Sequence, residues 1–283
     1  MSQTDPNLPP DTRCAPAEGR AILRVDGVDR VKFLQGMITQ DMGRITRAGI
    51  GYAALLTPQG KLIADFLVIP RDEDVLLDVA EDLADELAKR LTMFKLRSKV
   101  TIERSDLPVT RGMGPMPEGA LPDPRDPALG WRLYGAALSQ GEAPDWDAIR
   151  IAHRIPETGF ELVPGDSFIL ELGFERLGGV DFRKGCYVGQ EVTARMHHKT
   201  SLRRGLVRVA LETPVAPGTA VVMEDGREAG TVWTQAGGEG LALISVMWGI
   251  PCLFRKRLGP HPRPVHRYPS GWRIWAASAA ASC

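Results

Sequence analysis

One octapeptide in this chain has residue types and spacing suited to chemistry: Lys184-Gly185-Cys186-Tyr187-Val188-Gly189-Gln190-Glu191. Two glycines bracket Cys186, so the backbone can turn tightly there and leave the thiol uncovered. Residues 190–199 read as a helix, with Val192, Arg195 and His198 or Lys199 at helical spacing. Cys186 therefore falls just before a helix N-terminus, where the dipole favours an anion, and Arg183, Lys184 and Arg195 add positive charge. Both effects favour thiolate over thiol, and a thiolate is what a nucleophile or a soft-metal ligand requires. The competing reading is a small buried hydrophobe, the usual role of a free cysteine.

The other candidates are weaker. Cys14, Cys252 and Cys283 have no comparable setting and are expected to be inert. With no Cys-x-x-Cys, the cysteines suggest neither a disulfide framework nor a structural zinc site. His197 or His198 as the base of a thiol hydrolase would lie about 15 Å along the same predicted helix, out of reach of the sulfur.

These residues need a scaffold, and the chain predicts an α+β one. Residues 21–25 read as a strand, and Asp29 precedes a helical stretch through Phe33, Leu34 and Gln35 that Gly36 ends. Residues 52–56 and 62–69 are apolar, β-rich runs joined by Thr57-Pro58-Gln59-Gly60, an antiparallel hairpin. A strand over 75–79 leads into a helix with Leu83, Leu87, Leu91 and Phe94 on one face, acidic at its start and basic at its end. A returning strand follows at 100–103. The six prolines and three glycines of 106–127 predict a loop or linker. A helix is expected over 146–154. From Leu206 short alternating strands take over, with Asp225-Gly226 marking a hairpin.

Composition bounds the partners. The 283 residues suit two or three domains, and 35 basic residues balance 35 acidic ones, which argues against a broad nucleic-acid footprint. No run approaches the ~20 apolar residues of a membrane span. Residues 1–13 carry neither a secretory nor a transit-peptide pattern. The expectation is a cytoplasmic protein with no direct nucleic-acid or membrane partner and a flexible arm over 1–19. After Glu239 there is no Asp or Glu, yet six Lys and Arg and three of the six Trp occur there. That composition suggests a shifted coding frame, and residues 244–283 are assigned no function.

The stretch from Asp181 through Glu191 closely resembles the signature of the YgfZ family of folate-binding proteins, relatives of the T-protein of the glycine cleavage system. Phe33-Leu34-Gln35-Gly36 with Thr39 and Asp41, Leu56 through Lys61 running into Asp65-Phe66, and Arg150 with Ile155-Pro156-Glu157 extend the likeness from about residue 20 to about residue 243. The resemblance implies two interleaved T-protein-like folate-binding subdomains over 20–200 and a small C-terminal β-barrel over 201–243. Folate, as tetrahydrofolate or a derivative, would bind between the subdomains. Asp65 matches the acid that contacts the pterin, and Arg150 matches a basic position near the folate. The implied role is assembly or repair of iron–sulfur proteins, particularly four-iron four-sulfur ones. Cys186 would be the working thiol, within the motif of Lys184, Gly185, Tyr187, Gly189, Gln190 and Glu191. It would act by thiol chemistry or as an iron ligand of a transient cluster shared with an A-type carrier, with radical enzymes among the clients. By residue chemistry alone, Asp65 reads as a solvent-facing strand residue and Arg150 equally as a surface arginine.

The chain departs from the family after Leu241, where Met247-Trp248-Gly249-Ile250-Pro251 replaces the closing strands and predicts an incomplete barrel. Two other classes share the folate expectation: a tetrahydrofolate-dependent aminomethyltransferase, and a binding module that responds to folate without chemistry. The Lys-Gly-Cys-Tyr setting resembles the maturation branch.

Overall fold

Leu62 to Ile69 is apolar at every position but Asp65, the pattern of a strand covered on both faces. The computed structural model describes residues 8–199, 202–223 and 225–245. Its elements begin with β1 (Arg13–Pro16), β2 (Arg20–Asp26), α1 (Arg30–Met37), α2 (Met42–Ala48), β3 (Gly51–Leu56), β4 (Leu62–Pro70), β5 (Asp74–Ala80), α3 (Glu81–Phe94) and β6 (Thr101–Ser105). There follow β7 (Val109–Met113), β8 (Leu121–Pro122), β9 (Trp131–Tyr134), α4 (Trp146–His153) and α5 (Gln190–Lys199). The chain then enters β10 (Arg204–Ala210), β11 (Thr219–Val222), β12 (Glu228–Ala236) and β13 (Glu239–Ser245).

β4 lies inside an antiparallel five-stranded sheet of order β3-β4-β5-β2-β6. One face packs Phe66, Val68, Leu77 and Val79 against Leu34 of α1, Ile45 of α2 and Leu87 and Leu91 of α3. The amphipathic period of α3 explains its burial, except that Ala84 joins Leu87 and Leu91 inside while Phe94 stays exposed at the last turn. The opposite face carries Tyr52, Leu67 and Leu76 toward Val109, Leu129 and Ile151. Asp65 and Asp78 share this second face, as the pairs Ala54↔Asp65 and Leu67↔Asp78 require.

A four-stranded sheet, β1-β7-β9-β8, draws three strands from between Val109 and Tyr134 but takes its edge strand from the start of the chain. This is the interleaving, and it corrects two expectations. Residues 13–16 of the supposed flexible arm pair with β7 from Arg13↔Met113 to Pro16↔Thr110 and bury Cys14 completely against Trp131. The supposed linker at 106–127 contains β7 and β8. Its six prolines read as breakers, yet none falls within 109–114, so β7 keeps every ladder donor. Gly36 does not end α1, which runs on to Met37.

The last four strands form an antiparallel sheet of order β10-β13-β12-β11 with its own core of Leu211, Val221, Val232 and Ile244. Strand β13 reaches Ser245, in register with Arg204, so the ordered sheet runs two residues past the expected boundary. The expectation of an incomplete barrel, and residues 246–283 of the anomalous tail, fall outside the described residues.

Candidate functional site

Cys186 is exposed and unbonded. Its loop is fixed from both sides. On the upstream side, the turn between α1 and α2 acts as a clamp. Fully buried Thr39 donates its hydroxyl to Gly179 O at 2.6 Å and accepts the Asp181 N–H on its own carbonyl at 3.0 Å. Asp181 pairs with Arg44 at 3.0 Å and accepts the Arg183 N–H at 2.7 Å. Lys184 then turns inward, its Nζ donating to the carbonyls of Gln35 at 2.7 Å, Gln40 at 3.1 Å and Ile38, which satisfies acceptors left free where α1 ends. Burial lowers its pKa to about 8, against the pull of Asp41 and Asp181.

On the downstream side, Gly189 opens α5 with φ +83°, and its backbone lies against the β3–β4 hairpin tip. Gln190 N–H donates to Tyr187 O at 3.2 Å, and Tyr187 is buried below. The thiol thus stands proud of a rigid loop.

Of the three positive charges expected around Cys186, Arg183 stays exposed on the loop and the other two are engaged elsewhere. Lys184 is committed to α1, and Arg195 pairs with Glu191 at 2.9 Å. Gly185 has an ordinary backbone conformation with open space around it, so it supplies access and not a turn. His197 stacks on Phe182 at 3.8 Å and contacts Glu175 at 3.1 Å.

A second constellation lies between the two sheets. Asp65 is buried, accepting from Tyr52 Oη at 2.9 Å and from the Thr158 hydroxyl. It is therefore no solvent-facing strand residue. Beside it, fully buried Asp78 accepts from Arg20 Nε at 2.7 Å, Arg132 Nη1 at 2.9 Å and Tyr134 Oη at 2.9 Å. Burial would raise its carboxyl, but Arg20 and Arg132 outweigh that and hold it below the ordinary range. Asp123 takes a two-pronged contact from Arg125 (2.9 and 2.8 Å) and a third from Arg132 at 3.2 Å, and is likewise held low against its burial. The Arg125 guanidinium lies 5.6 Å from the centre of the Tyr52 ring.

Arg111 differs from these arginines. Its Nε is shut off from solvent with no hydrogen-bond partner, while the residue as a whole is half-buried. It rests 4.1 Å over the Trp146 ring and sits directly across the β7–β9 ladder from Arg132. Burial, with Arg132 and Arg125 nearby, lowers it to about 9.

Arg150 is 1% exposed and already occupied. It reaches Asp147 at 2.7 Å, Glu157 at 2.9 Å, Thr234 at 3.1 Å, Ile155 O at 3.2 Å and Glu161 at 3.4 Å. It is a strut between α4 and β12, its guanidinium engaged by protein groups on both sides. Burial would raise Glu157, but Arg150, Arg125, Arg111 and Arg20 keep it low.

Sequence reasoning missed Asp78, Asp123, Arg111, Arg125 and Arg132. For Asp78 the signal was available: a lone acid within Val75 to Ala80, an otherwise apolar strand. Such a residue on a doubly covered sheet needs buried cations.

The family described as "CAF17, C-terminal beta-barrel domain" matches residues 203–247. The chain is 34% identical to the mitochondrial iron–sulfur cluster assembly factor IBA57 of Mus musculus, covering 82% of this chain and 77% of that one. It is 30% identical to the Homo sapiens protein of the same name, covering 85% and 79%. The crystal structure of glycine cleavage system aminomethyltransferase T from Bartonella henselae superposes with a TM-score of 0.68 at 15% identity, over 84% of this chain and 80% of that one, a likeness of fold. The fold is thus α+β and aminomethyltransferase-like, with a C-terminal β-barrel domain. The relatives' names place them in mitochondria, which overturns the expected cytoplasmic location. That expectation rested on a leader pattern missing from residues 1–13, and such an absence carries no information on location.

Proposed function

The chain belongs to the family of the IBA57 iron–sulfur cluster assembly factors, and on that premise we propose that it supports assembly or repair of four-iron four-sulfur proteins through Cys186. The observation that carries this reading is an exposed free thiol on a loop pinned at Lys184 and at Gly189. Such a thiol meets a partner without rearrangement. It supplies one ligand only, because among the described residues no group of three or more His, Cys, Asp or Glu could hold a metal ion. A cluster handled here is cargo, and its other ligands come from a carrier or client protein, an A-type carrier or a radical enzyme for example.

The polar interior suits a reduced folate. A pterin presents an amine and ring N–H groups, which a carboxylate matches well. Asp65 offers that carboxylate, oriented by Tyr52 and Thr158. Arg111, whose Nε has no hydrogen-bond partner, fits an acidic ligand. Bound there, a tetrahydrofolate would supply a one-carbon acceptor, while the chain's own residues bind and orient it. Arg150 acts behind the site by aligning Glu157.

The test is complementation of a strain lacking its own family member with wild type and with Cys186→Ala, reading four-iron four-sulfur enzymes and glycine cleavage in the same extracts. Restoration of the iron–sulfur enzymes by wild type alone supports the thiol-dependent role. Equal restoration by the variant refutes it, and a response of glycine cleavage alone places the chain with the aminomethyltransferases.

A further inference from the structure

Leu96 is the most exposed large apolar residue among the described residues, at 88%, and its φ of +41° lies in the left-handed region. Glycine or asparagine takes that conformation readily, whereas a leucine there is strained. So exposed a side chain gains almost no packing in return, which points to a use outside the fold. Leu96 stands in the turn between α3 and β6, which lies directly against the turn between β2 and α1. A Cβ on Gly27 would meet Lys99 O at 2.0 Å, and Asp29 Oδ2 accepts the Lys99 N–H at 2.8 Å. The pairing Asp26↔Thr101 puts both turns at one end of the five-stranded sheet. Val28 (80% exposed), Val31, Met93 and Phe94 are exposed there as well. From Lys89 to Lys99 the chain has five Lys or Arg and no Asp or Glu. Lys32, Lys89, Arg97 and Lys99 are exposed and form no ion pair among the described residues. The acids Asp72 and Glu73, in the β4–β5 turn, fall on the other side of β2 from β6.

We infer that this end of the molecule docks on the surface of an anionic lipid bilayer, with Leu96, Phe94 and Val28 entering the headgroup layer and Lys32, Arg97 and Lys99 meeting the lipid phosphates. Charge selects the occupant. The whole chain has 35 basic and 35 acidic residues, so a local basic surplus turns this end toward an anionic surface. A second copy of the chain would set like charge on like charge. A protein partner fits less well, because lysine is depleted in protein interfaces, while apolar tips rimmed by Lys and Arg suit the headgroup region. No helix among the described residues is long and apolar enough to cross a membrane, so the contact is peripheral. The sequence expectation of no membrane partner rested on the lack of a spanning run, which does not bear on a contact of this kind.

The experiment floats purified full-length protein with vesicles of phosphatidylcholine alone, or of phosphatidylcholine and phosphatidylglycerol in equal parts, at low and high salt. Wild type should bind the anionic vesicles, release in high salt and ignore the neutral ones. Leu96→Asn should bind about tenfold more weakly. Having lost a strained and unpacked side chain, it should melt no lower than wild type. Arg97→Gln and Lys99→Gln should each weaken binding by about fivefold. Met116→Asn, which alters an exposed apolar residue in the β7–β8 loop, should bind as wild type does, and a loss there equal to that of Leu96→Asn overturns the assignment to this end. Wild type that ignores anionic vesicles overturns the inference, and so does Leu96→Asn that binds them as tightly as wild type. A large fall in the melting temperature of Leu96→Asn makes Leu96 structural and overturns it as well. Wild type that passes over vesicles yet binds soluble polyglutamate assigns the surface to an acidic protein instead.

Discussion

Gly60 and Gly189 meet with no side chain between them. A Cβ on Gly189 would stand 2.6 Å from Thr57 O and 3.3 Å from Gly60 Cα, and one on Gly60 would stand 2.8 Å from Val192 Cβ. Both have positive φ, at +76° for Gly60 and +83° for Gly189. The tip of the β3–β4 hairpin and the start of α5 can touch only because both positions are bare, and this contact fixes the downstream end of the cysteine loop.

Gly189→Ala should therefore be costly. The left-handed conformation alone costs about 1–2 kcal/mol with a side chain, and the backbone oxygen of Thr57 cannot move aside. A loss of about 3 kcal/mol in urea unfolding is expected. Gly185→Ala, next to Cys186 on the open side of the loop, meets nothing within 4 Å and should leave stability unchanged. Equal effects of the two substitutions would contradict the described loop.

Thiol reactivity should divide the cysteines by burial. In the native protein Cys186 should be alkylated by iodoacetamide within minutes, while fully buried Cys14 reacts only on unfolding. Peptide mapping by mass spectrometry reads both. Lys184→Met leaves three carbonyls unmatched, costs about 2–4 kcal/mol, and should speed amide exchange across residues 178–186.

The strut at Arg150 predicts coupling between the barrel and the core. Arg150→Met strands the buried Glu161 carboxylate and should cost about 3–5 kcal/mol. Hydrogen exchange at the Thr234 amide, which donates to Glu161 at 3.0 Å, should accelerate more than exchange in β4. Uniform acceleration would mean that the strut serves global stability alone.

Acid should weaken the polar interior. Asp78, Asp123 and Glu157 are held below their ordinary range in the folded protein. As pH falls through about 4, the unfolded chain takes up protons that the folded one refuses, so stability present at neutral pH is lost progressively below that point. The melting temperature should drop steeply from about pH 4.5 downward, and Glu157→Gln should flatten that slope. A flat profile down to about pH 3.5 would refute the ion network.

The sequence was readable where chemistry is local. The hairpin around Thr57-Pro58-Gln59-Gly60, the face of α3 and the loop-to-helix step at Cys186 all depend on neighbours a few residues apart. The interior was not readable, because its partners come from afar. Asp78 meets Arg20 and Arg132, 58 and 54 positions away. The role expected of Lys184 beside Cys186 was misjudged for the same reason, since its ammonium answers to Gln35, 149 positions earlier. Proline content misjudged 106–127 because position, and not number, decides whether a strand survives.

The edge strand borrowed from the start of the chain constrains the order of folding. β1 leaves the ribosome about a hundred residues before β7, the strand it pairs with, and loop closure over that span is slow. The five-stranded sheet, whose strands all fall within 20–105, is complete first. During that interval the segment around Cys14 waits without its cover, so a thiol that is inert in the finished protein is open to oxidation during synthesis.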